Sequence, residues 1–94
     1  NLRCSCKHTT TVTDLKWNIN LPIVCTSTLN GAICIWDARA GIQLVELSGH
    51  RELISHFSLR TVNHATQGEM ESIVTASDDG TSRVFLISMR DLLQ

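Results

Sequence analysis

Pro22-Ile23-Val24-Cys25-Thr26-Ser27-Thr28-Leu29-Asn30-Gly31-Ala32-Ile33-Cys34-Ile35-Trp36-Asp37 decides the fold. Two apolar, β-branched runs meet at Asn30-Gly31, a dipeptide suited to the left-handed conformations of a hairpin turn. A two-residue turn pairs Leu29 with Ala32 and puts Thr26 and Trp36 on opposite faces. A three-residue loop, Leu29-Asn30-Gly31 with Gly31 left-handed, pairs Thr28 with Ala32 and Val24 with Trp36. Thr26 and Trp36 then share a face. The longer loop is expected, because Asp78-Asp79-Gly80 between a second pair of apolar runs suits it better. In that register Val24, Cys34 and Trp36 line one face, while Cys25, Ile33 and Ile35 line the other. Both faces need cover. Cys25 and Cys34, on opposite sides, are expected to stay free thiols, since a disulfide needs Cβ atoms about 4 Å apart and pointing together.

An internal repeat surrounds this hairpin. His8 to His50 is a 42-residue step, and each His is followed by an alternating strand. Val12, Asp14 and Lys16 interleave with Thr13, Leu15 and Trp17, and at the same offset Ile54, His56 and Ser58 interleave with Ser55, Phe57 and Leu59. Pro22 opens the second strand, where no ladder N–H is needed. Asp37 to Gly41 reads as a turn, and Ile42 to Ser48 as a fourth strand. The second hairpin spans Ser72 to Phe85. Trp36 and Phe85 are 49 residues apart, so the second unit carries seven extra residues. Arg60 to Glu71 is polar and contains Gly68, and is expected to hold them as a loop.

The Gly-His start, the hairpin and the Trp-Asp finish at a spacing of roughly 40–45 residues resemble the WD-repeat β-propeller family. The resemblance covers nearly the whole chain. It implies an all-β fold of two four-stranded antiparallel blades, the second lacking its own fourth strand. Residues 1–7 would be the outer strand of a preceding blade, 8–48 a WD repeat, 49–88 a degenerate repeat with its insertion at 60–71, and 89–94 a C-terminal tail. Closed propellers need about four to eight blades, so a fragment of a larger propeller is expected.

The resemblance also implies a hydrogen-bonded network, carried over to His8, Thr26, Asn30 and Trp36 in the first unit. In the second it falls on His50, Thr75 and Asp79, with Phe85 at the Trp position. An indole N–H is a donor only, so a buried Trp36 needs an acceptor such as the Thr26 hydroxyl. Phe85 supplies no donor, so the second network is expected to be open and His50 to matter less than His8.

Composition narrows the function. The chain of 94 residues carries a formal charge of −1 without a Lys/Arg run, which argues against a nucleic-acid surface in this segment. Its longest apolar run, Ala32 to Trp36, is far too short for a membrane span. No signal-like start is present, so the cytoplasm is the expected compartment, with the nucleus as a second. Cys4, Cys6 and His8 are three metal-type ligands without an evident fourth, and no metal, cofactor or small-molecule substrate is expected. No nucleophile with an oriented base is visible either, so an enzyme is not expected.

What remains is a protein-interaction scaffold. Trp36 to Gly41, Gly49-His50, Phe57 and Arg83-Val84-Phe85 look most like the last two blades of a family member whose fungal relatives escort a large-subunit ribosomal protein. The alternative is a substrate receptor docking the adaptor of cullin-4 ubiquitin ligases through Trp36-Asp37-x-Arg39. In the family's geometry Thr9, Thr10, Leu29, Arg51, Glu52 and Asp78 fall on one rim, and Arg39 on the other.

Overall fold

The computed structural model describes residues 10–18, 21–64 and 68–93. Four strands, β1 (Val12–Trp17), β2 (Ile23–Thr28), β3 (Ile33–Asp37) and β4 (Ile42–Leu47), form one antiparallel meander in the order β1-β2-β3-β4. Three more, β5 (Ile54–His64), β6 (Gly68–Ser77) and β7 (Val84–Ile87), form a second in the order β5-β6-β7. In both sheets every neighbour in space is a neighbour in sequence. A single-turn helix, α1 (Met89–Leu92), follows.

The first hairpin adopts the three-residue loop. Val24 stands opposite Trp36 and Thr26 opposite Cys34. The Thr28 N–H donates to the Ala32 carbonyl at 3.0 Å, and the Gly31 N–H donates to the Thr28 carbonyl at 3.2 Å. Gly31 has φ +85°, a region costly to residues with a Cβ. The second hairpin repeats the geometry at 78–80, with Ser77 bonded to Thr81 and Gly80 at φ +83°.

Period-two alternation then sorts the central strands into two apolar sets. Ile23, Cys25, Ile33 and Ile35 of the first sheet pack with Ile54, Phe57 and Ile73 of the second and with Met89 of α1, forming the seam between the blades. Each fully buried isoleucine there contributes roughly 1.5–3 kcal/mol. Val24, Cys34 and Trp36 form a separate cluster on the opposite face of the first sheet. Cys25 and Cys34 accordingly lie apart, and both are free thiols.

Bulges adjust this alternation. The ladders shift register between Val12 and Asp14, and again between Ile54 and His56, so Thr13 and Ser55 are extra residues at the same repeat position. The Ser55 bulge lets Ile54 and Phe57, three apart, both enter the seam, which strict alternation forbids. Thr13 uses its bulged geometry to bond Ser27 Oγ at 2.7 Å and to donate to the Ile54 carbonyl, fastening β1 to β5. Asp14 Oδ2 accepts the Phe57 N–H at 3.2 Å beside it.

The expectation of a loop over 60–71 is overturned. Arg60 pairs with Ser72, Thr61 with Glu71, Val62 with Met70, Asn63 with Glu69 and His64 with Gly68. The insertion lengthens β5 and β6 into a ribbon instead of bulging out as a loop. A two-stranded ribbon can expose polar side chains while its backbone groups pair with each other, so polarity did not distinguish it from a loop. Gly68, at φ +76° where this ladder ends, is the glycine that suggested a turn.

Candidate functional site

One end of the two sheets gathers the hairpin turns and the segments that enter β1 and β5. The Leu29 N–H donates to the Thr11 carbonyl at 3.0 Å, and the Asp78 N–H to the Leu53 carbonyl at 3.1 Å. Ser77 Oγ donates to the Leu53 carbonyl at 2.9 Å. A Cβ on Gly31 would stand 2.7 Å from the backbone oxygens of both His50 and Glu52. The first hairpin turn therefore rests directly on the crossover between the blades, and the rim is continuous. Arg51, Glu52, Asp78, Asn30 and Leu29 are exposed on it, and Thr10 is half-buried. His8 and Thr9 lie outside the described residues.

Beneath this rim His50, Thr75 and Asp79 come together. His50 Nε2 lies 2.6 Å from Thr75 Oγ1, and His50 Nδ1 lies 3.1 Å from Asp79 Oδ2. The Arg51 N–H donates to the same carboxylate oxygen at 3.0 Å. Thr81 donates its hydroxyl to Asp79 Oδ1 at 2.5 Å, and its N–H to that oxygen at 2.9 Å. Phe85 indeed offers nothing here, yet the network is not open. The Arg83 N–H donates to Thr75 Oγ1 at 3.1 Å, so a main-chain donor reaches that hydroxyl where an indole is absent. Thr81 and Arg83 were missed in the sequence. The Asp79-Gly80-Thr81 spacing, typical of a side chain bonding its own backbone two residues on, was the available signal for Thr81.

A hydroxyl, an imidazole and a carboxylate in this order have the composition of a nucleophilic triad. Thr75, however, is only 1% exposed, and its oxygen is held by Arg83 and His50. The arrangement braces the turn against the crossover.

Thr81's hydroxyl, followed by the Arg51 and Thr81 N–H groups and the His50 ring, holds the Asp79 carboxyl well below the usual carboxylate range. A depressed folded value means that the stabilisation is complete above the unfolded value of about 3.9 and is lost as pH falls toward the folded one. Asp79→Asn should therefore flatten the acid limb of stability below about pH 4. Denaturation midpoints of both proteins across that range are the check, and parallel acid limbs would contradict it.

In the first blade Trp36 Nε1 donates to Thr26 Oγ1 at 3.1 Å. Asn30 is turned toward Thr28, whose hydroxyl donates to Asn30 Oδ1. Thr28 Oγ1 also accepts the Ala32 N–H at 3.2 Å, a second hydroxyl role unread in the sequence. At the far end of the blade Arg39 is paired within its own turn. Its Nε and Nη2 reach Asp37 Oδ1 and Oδ2 at 3.0 and 2.9 Å, and this bidentate pair holds the Asp37 carboxyl below its usual range. Among the described residues no three His, Cys, Asp or Glu side chains gather as a metal site requires; Cys4, Cys6 and His8 lie outside them.

Residues 2–37 match the pattern of the WD domain, G-beta repeat. Angio-associated migratory cell protein of Homo sapiens is 31% identical over 90 residues, covering 96% of this chain, and the proteins of that name from Pongo abelii and Canis lupus familiaris match equally. The chain spans about a fifth of these curated relatives, 19% of their length. Among solved structures, Saccharomyces cerevisiae Sqt1 superposes with a TM-score of 0.73 at 26% identity, over 83% of this chain and 20% of that one. The computationally designed Ika4 protein superposes at 0.71 and 24% identity, over 93% of this chain and 48% of that one, a likeness of fold.

Proposed function

Because the chain carries a WD repeat and is built as antiparallel blades of the WD-repeat propeller kind, we propose that it serves as a non-catalytic protein-interaction scaffold. Its client is read as a basic protein, such as a ribosomal protein escorted in the cytoplasm or nucleus. The observation that carries this reading is the rim. Its turns are locked by hydrogen bonds within each blade, and the Gly31 turn seats on the crossover between them, while Glu52 and Asp78 stay exposed. Loop residues held by a rigid scaffold are the usual place for recognition, and charged rim groups chiefly set association rate and selectivity.

The alternative, docking of a cullin-4 ligase adaptor, would use Arg39. That guanidinium is already paired within its own turn to Asp37, which favours the first reading. One paired pull-down separates them. Glu52→Lys with Asp78→Lys should weaken capture of a basic large-subunit ribosomal protein, and Arg39→Ala should leave it intact. The adaptor reading predicts that Arg39→Ala alone abolishes capture of the adaptor. Should neither variant change either interaction, this rim is not the binding surface.

A further inference from the structure

Glu71 is a carboxylate only 4% exposed, placed on β6 two residues from Ile73 on the seam side of the sheet. Two side chains from different places supply its hydrogen bonds. Asn18 Nδ2, just past the end of β1 in the other blade, donates to Oε1 at 2.9 Å. Thr61, on the inserted ribbon of β5, donates its hydroxyl to Oε1 and Oε2 at 3.0 and 3.1 Å. Asn18 is itself held in place: its Oδ1 accepts the Leu21 N–H at 2.9 Å, and its own N–H donates to the Ile23 carbonyl at 3.1 Å. A buried carboxylate that loses its donors is costly, so such an arrangement tolerates little movement.

We propose that Asn18, Glu71 and Thr61 form a clasp across the seam between the two blades, and that the inserted residues serve to build it. Among the described residues the seam also has apolar packing, the seat of Gly31 on the crossover and, near the opposite end, the bonds of Thr13 and Asp14 to β5. Apolar contact is non-directional. The clasp supplies direction at the end where β1 finishes, fixing the angle between the sheets there. Without the extension of β5 past Arg60 there is no Thr61 opposite Glu71. Breaking the clasp is expected to open the seam locally at that end and leave each sheet intact.

The two free cysteines among the described residues, Cys25 and Cys34, make this measurable. Cys25 is a seam residue with no exposure, and burial, with Glu71 nearby, pushes its thiol up to about 12. A buried, protonated thiol is inert to alkylation. Cys34 belongs to the cluster on the far face of the same sheet, so it reports any general loosening. Intact protein is treated with N-ethylmaleimide under native conditions, and labelling of each cysteine is read by peptide mass spectrometry. Glu71→Ala should raise the labelling rate of Cys25 about tenfold or more while that of Cys34 stays unchanged. Glu71→Gln should behave nearly as the unaltered protein, because its Oε1 still accepts from Asn18 and Thr61. Thr61→Val, which removes one hydroxyl from an exposed residue and serves if Glu71→Ala does not fold, should give a smaller selective rise. An unchanged Cys25 rate, or Cys25 and Cys34 rising together, overturns the proposal.

Discussion

Gly31→Ala should destabilise the protein by about 2–5 kcal/mol, whereas Gly80→Ala at the equivalent place in the other blade should cost only about 1 kcal/mol. The two glycines have nearly the same backbone conformation, φ +85° and +83°, so the conformational penalty is shared. What differs is the space around them. A Cβ on Gly31 would lie 2.7 Å from the carbonyl oxygens of His50 and Glu52, which are backbone atoms of the crossover and cannot swing aside. A Cβ on Gly80 would meet nothing within 4 Å. Either the hairpin turn or the crossover must move in the first case, and that movement strains the rim from both blades. Denaturant midpoints of the two variants in otherwise intact protein give the comparison. Similar losses would mean that the turn does not seat on the crossover as described.

His50→Ala is the second large effect, expected at about 2–4 kcal/mol. The side chain is 1% exposed, and its removal leaves a cavity. It also takes a 2.6 Å hydrogen-bond partner from the Thr75 hydroxyl, which is itself buried. Thr75→Val, which keeps the shape and deletes the hydroxyl, should cost less. The double variant should cost less than the two losses added, by about 0.5–3 kcal/mol, because both remove the same contact. Additive losses in a double-mutant cycle would show that the contact contributes no coupling.

The parts of this architecture legible in the sequence are those governed by local chemistry. Asn30-Gly31 and Asp79-Gly80 each announce a left-handed glycine, and period two carries the consequence to Thr26, Trp36, Cys25 and Cys34 without further information. The insertion was not legible, because a polar ribbon and a loop share one composition. They differ only in whether Thr61 finds Glu71 across the ladder, which is a pairing and not a property of either residue. The second network was misjudged for a related reason. Phe85 brings no donor, but the donor that reaches Thr75 is the Arg83 main chain, which every residue type except proline would present. Bulges at Thr13 and Ser55 were likewise silent, since one extra residue changes the phase of a strand without altering its composition.

The strand order has a bearing on how such a chain finds its structure. Each sheet is a meander in which consecutive strands are joined by short connections, so the searches that set strand register are short-range and the closure entropy of each is small. The bonds that unite the sheets belong to a different scale: Thr13 with Ile54, Asp14 with Phe57 and Asn18 with Glu71 are 41, 43 and 53 residues apart. Those contacts gain their geometry only from sheets that already have one. Registration is thus a local event in each half of the chain, and the union of the halves is an encounter between two prepared surfaces, closer in kind to the docking of subunits than to the collapse of a single core.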